Sequence, residues 1–287
     1  MAASDRLLVV IDPVARRTDG ESVRIAKDVL SAGAATKVCL PEGPEEFARA
    51  LIRRGARRPV VVGDDGALLR AVGLLHRQRE LAGCGLSLVP VGGALALSRA
   101  LGVPAGAVAA ARTVLDGAER RLDLLVDDSD GVVLGALRIP SAAARPAAAP
   151  APVPAGAPGE PEAHPWLRTC QSLVRTLASR PARPAPDPVR GPSRLRIEVD
   201  GVCVVDLDQP VEDVSVTPGA AGTGAEIEVR PVSVGAAAAP LRLTGHRLTV
   251  SGADFRYRAD SVVSGPVRTR TWTVRESAWG LTLPAAR

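Results

Sequence analysis

Two short segments carry the residues best suited to chemistry. In the first, Val60, Val61 and Val62 run into Gly63, Asp64, Asp65, Gly66 and Ala67. In the second, Val89, Pro90 and Val91 run into Gly92 and Gly93, with Ser98 and Arg99 following. A β-branched run that ends in a Gly/Asp turn before a helical stretch is the pattern of a strand–turn–helix nucleotide site. Glycines let backbone approach phosphate, a helix N-terminus favours anions, and an aspartate can hold a metal or orient a donor. In an open α/β sheet both turns would emerge at the carboxyl ends of neighbouring strands, where ligands bind. An isolated Gly-Asp-Asp-Gly is also an ordinary turn, and a Gly-Gly-Ala-Leu stretch also serves simply to pack an apolar face.

Other candidate groups carry less. The cysteines at 39, 84, 170 and 203 are scattered through apolar runs, and no Cys/His spacing suggests zinc, so buried free thiols in a reducing cytoplasm are expected. His76, His164 and His246 form no metal pair. Arg256, Arg258, Arg268 and Arg270 alternate along late strand-like segments; they read as a solvated sheet face or as a patch for phosphate or lipid headgroups. The net charge of +5 over 287 residues permits contact with phosphates or an anionic membrane without requiring it. Aromatics make up only 2% of the chain, which leaves little to stack on bases, and no nucleic-acid partner is expected. Lys27 and Lys37 are the only lysines; the remaining basic residues are arginines. No apolar leader or membrane-length stretch stands out, so a cytoplasmic protein, at most peripheral to a membrane, is expected.

The elements that must position these residues follow from periodicity. Short apolar runs at 6–11, 36–40, 59–62 and 86–91 read as strands, and 21–30, 44–54, 68–79, 94–101 and 105–115 as helices. Strands at 121–126 and 131–139 flank an acidic turn. This alternation predicts an α/β N-terminal domain over 1–139, Rossmann-like with a mostly parallel sheet. Residues 140–165 form an Ala/Pro/Gly tract expected to lack regular structure. A helix over 166–179 with Trp166 and Leu173 on its apolar face, and a Pro-rich linker, fill 166–193. From 194 to 287 the period drops to two, which predicts an all-β, sandwich-like C-terminal domain.

The two turn segments together resemble the catalytic domain of the diacylglycerol kinase family, whose first signature reads Gly-Gly-Asp-Gly-Thr and whose second reads Pro-x-Gly-Thr-Gly-Asn-Asp-Phe-Ala-Arg. Gly63, Asp65 and Gly66 match the first; Asp64 stands in place of its second Gly and Ala67 in place of its Thr. Pro90, Gly92 and Arg99 match the second, while Gly93, Ala94, Leu95 and Ala96 replace its Thr, Gly, Asn and Asp. Asp12-Pro13 resembles the family's Asn-Pro after the first strand. In the late Asp-Gly-Glu of the family's β domain only Asp260 survives, with Val262 in place of the Glu. The resemblance is good in order and spacing over 6–139 and faint over 194–287. NAD kinases share the first signature, but the second fits lipid kinases better. The resemblance implies ATP and Mg²⁺ as cofactors and phosphoryl transfer to a lipid hydroxyl, with Asp65 and Asp260 as catalytic candidates. Asp12, Gly63, Asp64, Asp65, Gly66, Gly92, Gly93 and Arg99 would hold the nucleotide, and no metal ligand set is implied. The replaced polar side chains leave a second reading open, a pseudoenzyme that binds nucleotide, lipid or a protein partner, and a third, an interaction protein with no ligand there.

Overall fold

The computed structural model describes residues 6–139, 192–219, 222–232 and 239–285. The tract expected at 140–165, the helix expected at 166–179 and the linker after it lie outside the described residues. The chain runs β1 (Arg6–Ile11), α1 (Pro13–Thr18), α2 (Gly20–Gly33), β2 (Ala35–Cys39), α3 (Pro44–Ile52), β3 (Arg58–Gly63), α4 (Asp65–Arg77), β4 (Gly85–Pro90), α5 (Ala96–Ala100) and α6 (Ala107–Asp116). It continues through β5 (Ala118–Asp127), β6 (Val132–Val133), β7 (Leu137–Ile139), β8 (Ser193–Val199), β9 (Val202–Val205), β10 (Pro210–Pro218) and β11 (Ala225–Pro231). The last strands are β12 (Leu241–Gly245), β13 (Arg247–Ala259) and β14 (Val262–Leu283).

The first four strands lie in the order β2-β1-β3-β4, all parallel, as their short apolar runs require when both faces are covered. Period-two alternation divides their side chains between two cores. Leu7, Val9, Ile11, Val60 and Val62 pack with Ala26 and Leu30 of α2 and Ala110 and Val114 of α6. Leu8, Val10 and Val61 pack on the other face with Phe47, Leu51, Leu68 and Ala71 of α3 and α4.

The rest corrects the expectation of a mostly parallel Rossmann-like domain followed by a separate all-β one. Parallel pairing stops at β1–β4 and one contact of β14; the sheet as a whole is mostly antiparallel. β5, β6 and β7, assigned from sequence to the parallel sheet, pair antiparallel with β14, β5 and the strands β10 and β13. β7, β10, β8 and β13 pair in a closed ring, a small barrel. Its core holds Ile139, Ile197, Val214, Val250 and Trp272, with the Tyr257 ring edge-on to Trp272 at 5.1 Å between centroids.

β14 ties these parts together. Its far end pairs antiparallel with β5 and parallel with β4, Leu281 opposite Leu86, and places Trp279, Leu281 and Leu283 in the α3–α4 core. The physical reason for the error is that a short apolar run records that a strand is buried but not which strand lies beside it or in which direction. Cysteines also divide differently from expectation: Cys84 is buried, Cys39 half-buried and Cys203 exposed, all free.

Candidate active site

The site is built where β1, β3 and β4 end. Gly63 lies opposite Pro90 in the β3–β4 pair, and the Val91 amide donates to the Gly63 carbonyl at 3.0 Å. On the other side the Asp12 amide donates to the Val62 carbonyl at 2.9 Å. Asp12, the 63–66 turn and the 91–93 turn therefore stand side by side. The approach is close: a Cβ at Gly63 would meet the Ala67 and Asp12 Cβ atoms at 2.6 and 3.0 Å. Gly92 has φ +128, and a Cβ there would lie 3.2 Å from that of Asp64. Gly93 faces open space.

Each aspartate of this group holds backbone amides. Asp12 is the N-cap of α1, its Oδ1 accepting from the Val14 amide at 2.8 Å. Asp64 is the N-cap of α4, accepting from the Ala67 amide at 3.0 Å. Asp65, 5% exposed, reaches across to α5, whose own N-cap residue Leu95 makes no side-chain bond. Its Oδ2 accepts from the Leu97 amide at 2.8 Å and its Oδ1 from the Ser98 amide at 2.9 Å. Three helix N-termini around the turns are thus each capped by a carboxylate of the chain itself.

Arg70 is the residue that sequence reasoning missed. It lies one helical turn after Gly66, so both share a face of α4. Its guanidinium pairs with the buried Asp12 carboxylate and lies 5.8 Å from the Phe47 ring centroid. A Cβ at Gly66 would sit 3.5 Å from an Arg70 Nη and 3.3 Å from Asp64 Oδ1. The i, i+4 spacing from the glycine turn was the available signal. Arg70→Ala is expected to cost about 1–2 kcal/mol in a denaturant titration. That is less than the 3–5 kcal/mol for breaking a fully buried pair, because the Arg70 side chain is 44% exposed and solvent screens it.

Asp260 enters from the turn between β13 and β14, at φ +52. Its Oδ2 accepts from the Leu134 amide at 2.9 Å, and its Oδ1 from Gly135 and Ala136 at 2.7 and 2.9 Å. Gly135 lies between Asp260 and α5: a Cβ there would meet Leu97 Cδ1 at 2.7 Å and Asp260 Oδ1 at 3.0 Å. Burial pushes the Asp260 carboxyl above the usual aspartate range; the three amides pull it down without cancelling that, and the charge of Asp65 pushes it further up. Asp260 therefore feels the charge of Asp65. Arg99 is exposed on α5, and Arg16 and Arg17 lie in the last turn of α1. Val262 is exposed beside Asp260.

A diacylglycerol kinase catalytic domain implies ATP with a divalent cation. The side chains here fit a triphosphate poorly: the Val14, Ala67, Leu97 and Ser98 amides are held by the carboxylates of Asp12, Asp64 and Asp65, and Arg70 is spent on Asp12. Among the described residues no three His, Cys, Asp or Glu side chains gather as a metal set. Among the same residues no helix is long and apolar enough to cross a membrane.

A profile of the diacylglycerol kinase catalytic domain matches residues 6–126. The chain has no significant match among curated proteins. Its fold is similar to that of a solved structure of a diacylglycerol kinase from Bacillus anthracis str. Sterne, with 12% identity, a TM-score of 0.67, and coverage of 99% of this chain and 98% of that one. A second structure from the same organism, given that activity provisionally, aligns with 12% identity and a TM-score of 0.66 over 99% of both chains. At that identity the likeness is one of fold, and it extends beyond the matched domain through the β-rich remainder. Residues 6–126 thus match the catalytic domain of diacylglycerol kinases, and the fold built around them is similar to that of solved diacylglycerol kinase structures.

Proposed function

We propose that this is a diacylglycerol kinase-like protein whose scaffold is that of ATP-dependent phosphoryl transfer to a lipid hydroxyl and whose own turnover is weak or absent. The observation that carries this reading is the filling of the α1, α4 and α5 N-termini by Asp12, Asp64 and Asp65. Phosphoryl transfer is catalysed by positioning and charge stabilisation. Here an incoming polyphosphate meets carboxylates in place of amides, and the Thr, Asn and Asp side chains of the family pattern are Ala67, Leu95 and Ala96. The protein then acts as a binding module for a lipid, a nucleotide or a protein partner. A full kinase is the second reading, and the juxtaposition of Asp260 with Asp65 favours it, since a buried carboxyl raised above its usual range is suited to take a proton from an acceptor hydroxyl.

Calorimetry with ATP, with and without Mg²⁺, followed by labelled-phosphate transfer to a lipid panel, decides between them. Wild-type turnover is expected far below the ~1 s⁻¹ floor of ordinary kinases. Asp64→Gly restores the second Gly of the family signature, with Ala67 still in place of its Thr, and removes a carboxylate from the turn at a cost of a few tenths of a kcal/mol in capping. It is expected to tighten ATP binding about tenfold, ~1.4 kcal/mol. That is a modest share of the ~4 kcal/mol between unit charges 4 Å apart near a protein surface. Turnover on the order of 1 s⁻¹ in the wild type would overturn the weakened-kinase reading.

A further inference from the structure

β2 closes one edge of the large sheet: β1 pairs with it on one side, and among the described residues no strand pairs with the other. Its residues divide between two faces. Val38 packs on the core that α2 and α6 cover. Lys37 and Cys39 stand on the opposite face, in register with Leu8 and Val10 of β1. α3 covers that face over β1 but not over β2, where Lys37 is exposed and Cys39 only half-buried. The result is a cleft of about 330 Å³ between β2 and α3. Cys39, Ala50 and Leu40, the last 52% exposed, belong to its apolar part. Lys37, Arg49 and Arg53 stand around it with Glu46. Glu46 is already engaged: it accepts from the Glu42 amide at 2.9 Å and pairs with Arg49 at 3.7 Å. Among the described residues Lys37 and Arg53 have no ion-pair partner. Excess positive charge, an apolar floor and an open backbone edge therefore meet at one place.

We propose that β2 receives an extended acidic peptide of a protein partner as an added strand, with one peptide side chain in the cleft. An open edge supplies main-chain hydrogen bonds, and pockets for alternate side chains supply specificity. A strand laid beside β2 continues the rows Leu8–Lys37 and Val10–Cys39. The side chain opposite Lys37 is then acidic, because opposite charges stabilise a cross-strand pair and like charges do not. The side chain opposite Cys39, two residues along, is apolar, since it meets Cys39, Leu40 and Ala50. The motif read by this edge is an acidic and an apolar residue spaced i, i+2. A second copy of this chain fits worse. β2 paired with itself about its middle residue sets Lys37 against Lys37, and lysine on an edge strand guards against such pairing. The proposal makes no use of the glycine turns and stands apart from the reading of the active site.

Full-length protein is titrated into the fluorescein-labelled peptide Ser-Glu-Thr-Leu-Thr-Glu-Ser, and anisotropy is read. This probe presents a Glu two residues from the Leu in either strand direction. Saturable binding is expected, with a Kd on the order of 100 µM, weakening with salt. Amide exchange along β2 should slow in the complex. The same peptide with Lys for Glu, or with Ser for Leu, should bind about tenfold more weakly. Lys37→Glu should weaken the Glu peptide about tenfold and narrow its advantage over the Lys peptide, with the melting temperature unchanged. Lys27→Glu, at the exposed lysine of α2, should leave binding unchanged. If Lys37→Glu fails to fold, Lys37→Gln replaces it. No saturation up to about 1 mM, equal binding of the Ser-for-Leu peptide, binding without slowed exchange in β2, or a folded Lys37 variant that binds like wild type overturns the proposal. Saturable binding of hexanoate with none of the peptide would make the cleft a small-carboxylate pocket and overturn strand addition equally. No nucleotide or turnover enters the measurement, so a lost kinase activity does not mimic any of these outcomes.

Discussion

Replacing Asp260 with alanine is expected to destabilise the fold by roughly 3–5 kcal/mol. Three backbone amides, those of Leu134, Gly135 and Ala136, converge on its carboxylate. A hydrogen bond to a charged group contributes about 1.5–3 kcal/mol, and three on one group do not add in full. Alanine also has to hold the left-handed conformation at φ +52, which aspartate and asparagine tolerate better. Asp260→Asn keeps an oxygen toward Gly135 and Ala136 but turns an NH₂ toward the Leu134 amide, so it should fall between wild type and alanine. At about 2–4 °C per kcal/mol for a chain of this size, the alanine variant should melt about 10 °C lower. Equal melting of all three proteins would show that the 134–136 segment does not depend on this carboxylate.

The same residue sets a pH dependence. Burial, aided by Asp65, lets the folded carboxyl hold its proton to higher pH than the unfolded one. Across a window that opens near the ordinary aspartate pKa of about 3.9 and closes at the raised native value, the native chain binds more protons. This group's contribution to stability therefore falls as pH rises through that window. Asp260→Asn should remove that slope, so the difference between wild type and variant should shrink from pH 4 toward neutrality. A difference that does not change across that range would contradict the raised native value.

What the sequence made legible was local. The runs ending at Ile11, Gly63 and Pro90 are apolar and short, their turns are rich in Gly and Asp, and they fold as β1, β3 and β4 with turns side by side. Asp260 could be singled out because one residue of a known signature survived. What remained hidden depends on partners far along the chain. The period-two alternation from 194 to 287 reads as a domain of its own, yet β14 runs Val262–Leu283 and reaches the N-terminal core, 195 residues from Leu86 to Leu281. Nothing in the alternation of that segment states that a parallel neighbour waits for its end. The uses of Asp65 and Arg70 were hidden for the same reason: a carboxylate reads as a candidate catalyst until the amides of Leu97 and Ser98, some 32 residues on, are found on it.

Asp65→Ala is accordingly expected to act first on structure, with a loss of roughly 3–4 kcal/mol and local melting of α5. Two amides lose a charged partner, about 1.5–3 kcal/mol each before relaxation. α5 is five residues long with no side-chain cap of its own, so little else holds its first turn. Exchange of the Leu97 and Ser98 amides should accelerate along with the shift in denaturant midpoint. The effect should travel: Leu97 packs against Gly135, which donates to Asp260. A double-mutant cycle of Asp65→Asn with Asp260→Asn should therefore depart from additivity by more than 0.5 kcal/mol. This bears on how activity is tested. Matching the kinase signature invites Asp65→Ala as the inactivating variant, but lost turnover there would report a melted α5 as readily as a missing catalyst. Asp65→Asn, which keeps one acceptor oxygen on α5 while removing the charge, separates the two. A stable Asp65→Asn protein that loses whatever turnover the wild type has would assign Asp65 a part in the chemistry. An Asp65→Ala protein within 0.5 kcal/mol of wild type would instead remove the structural role argued from its two hydrogen bonds.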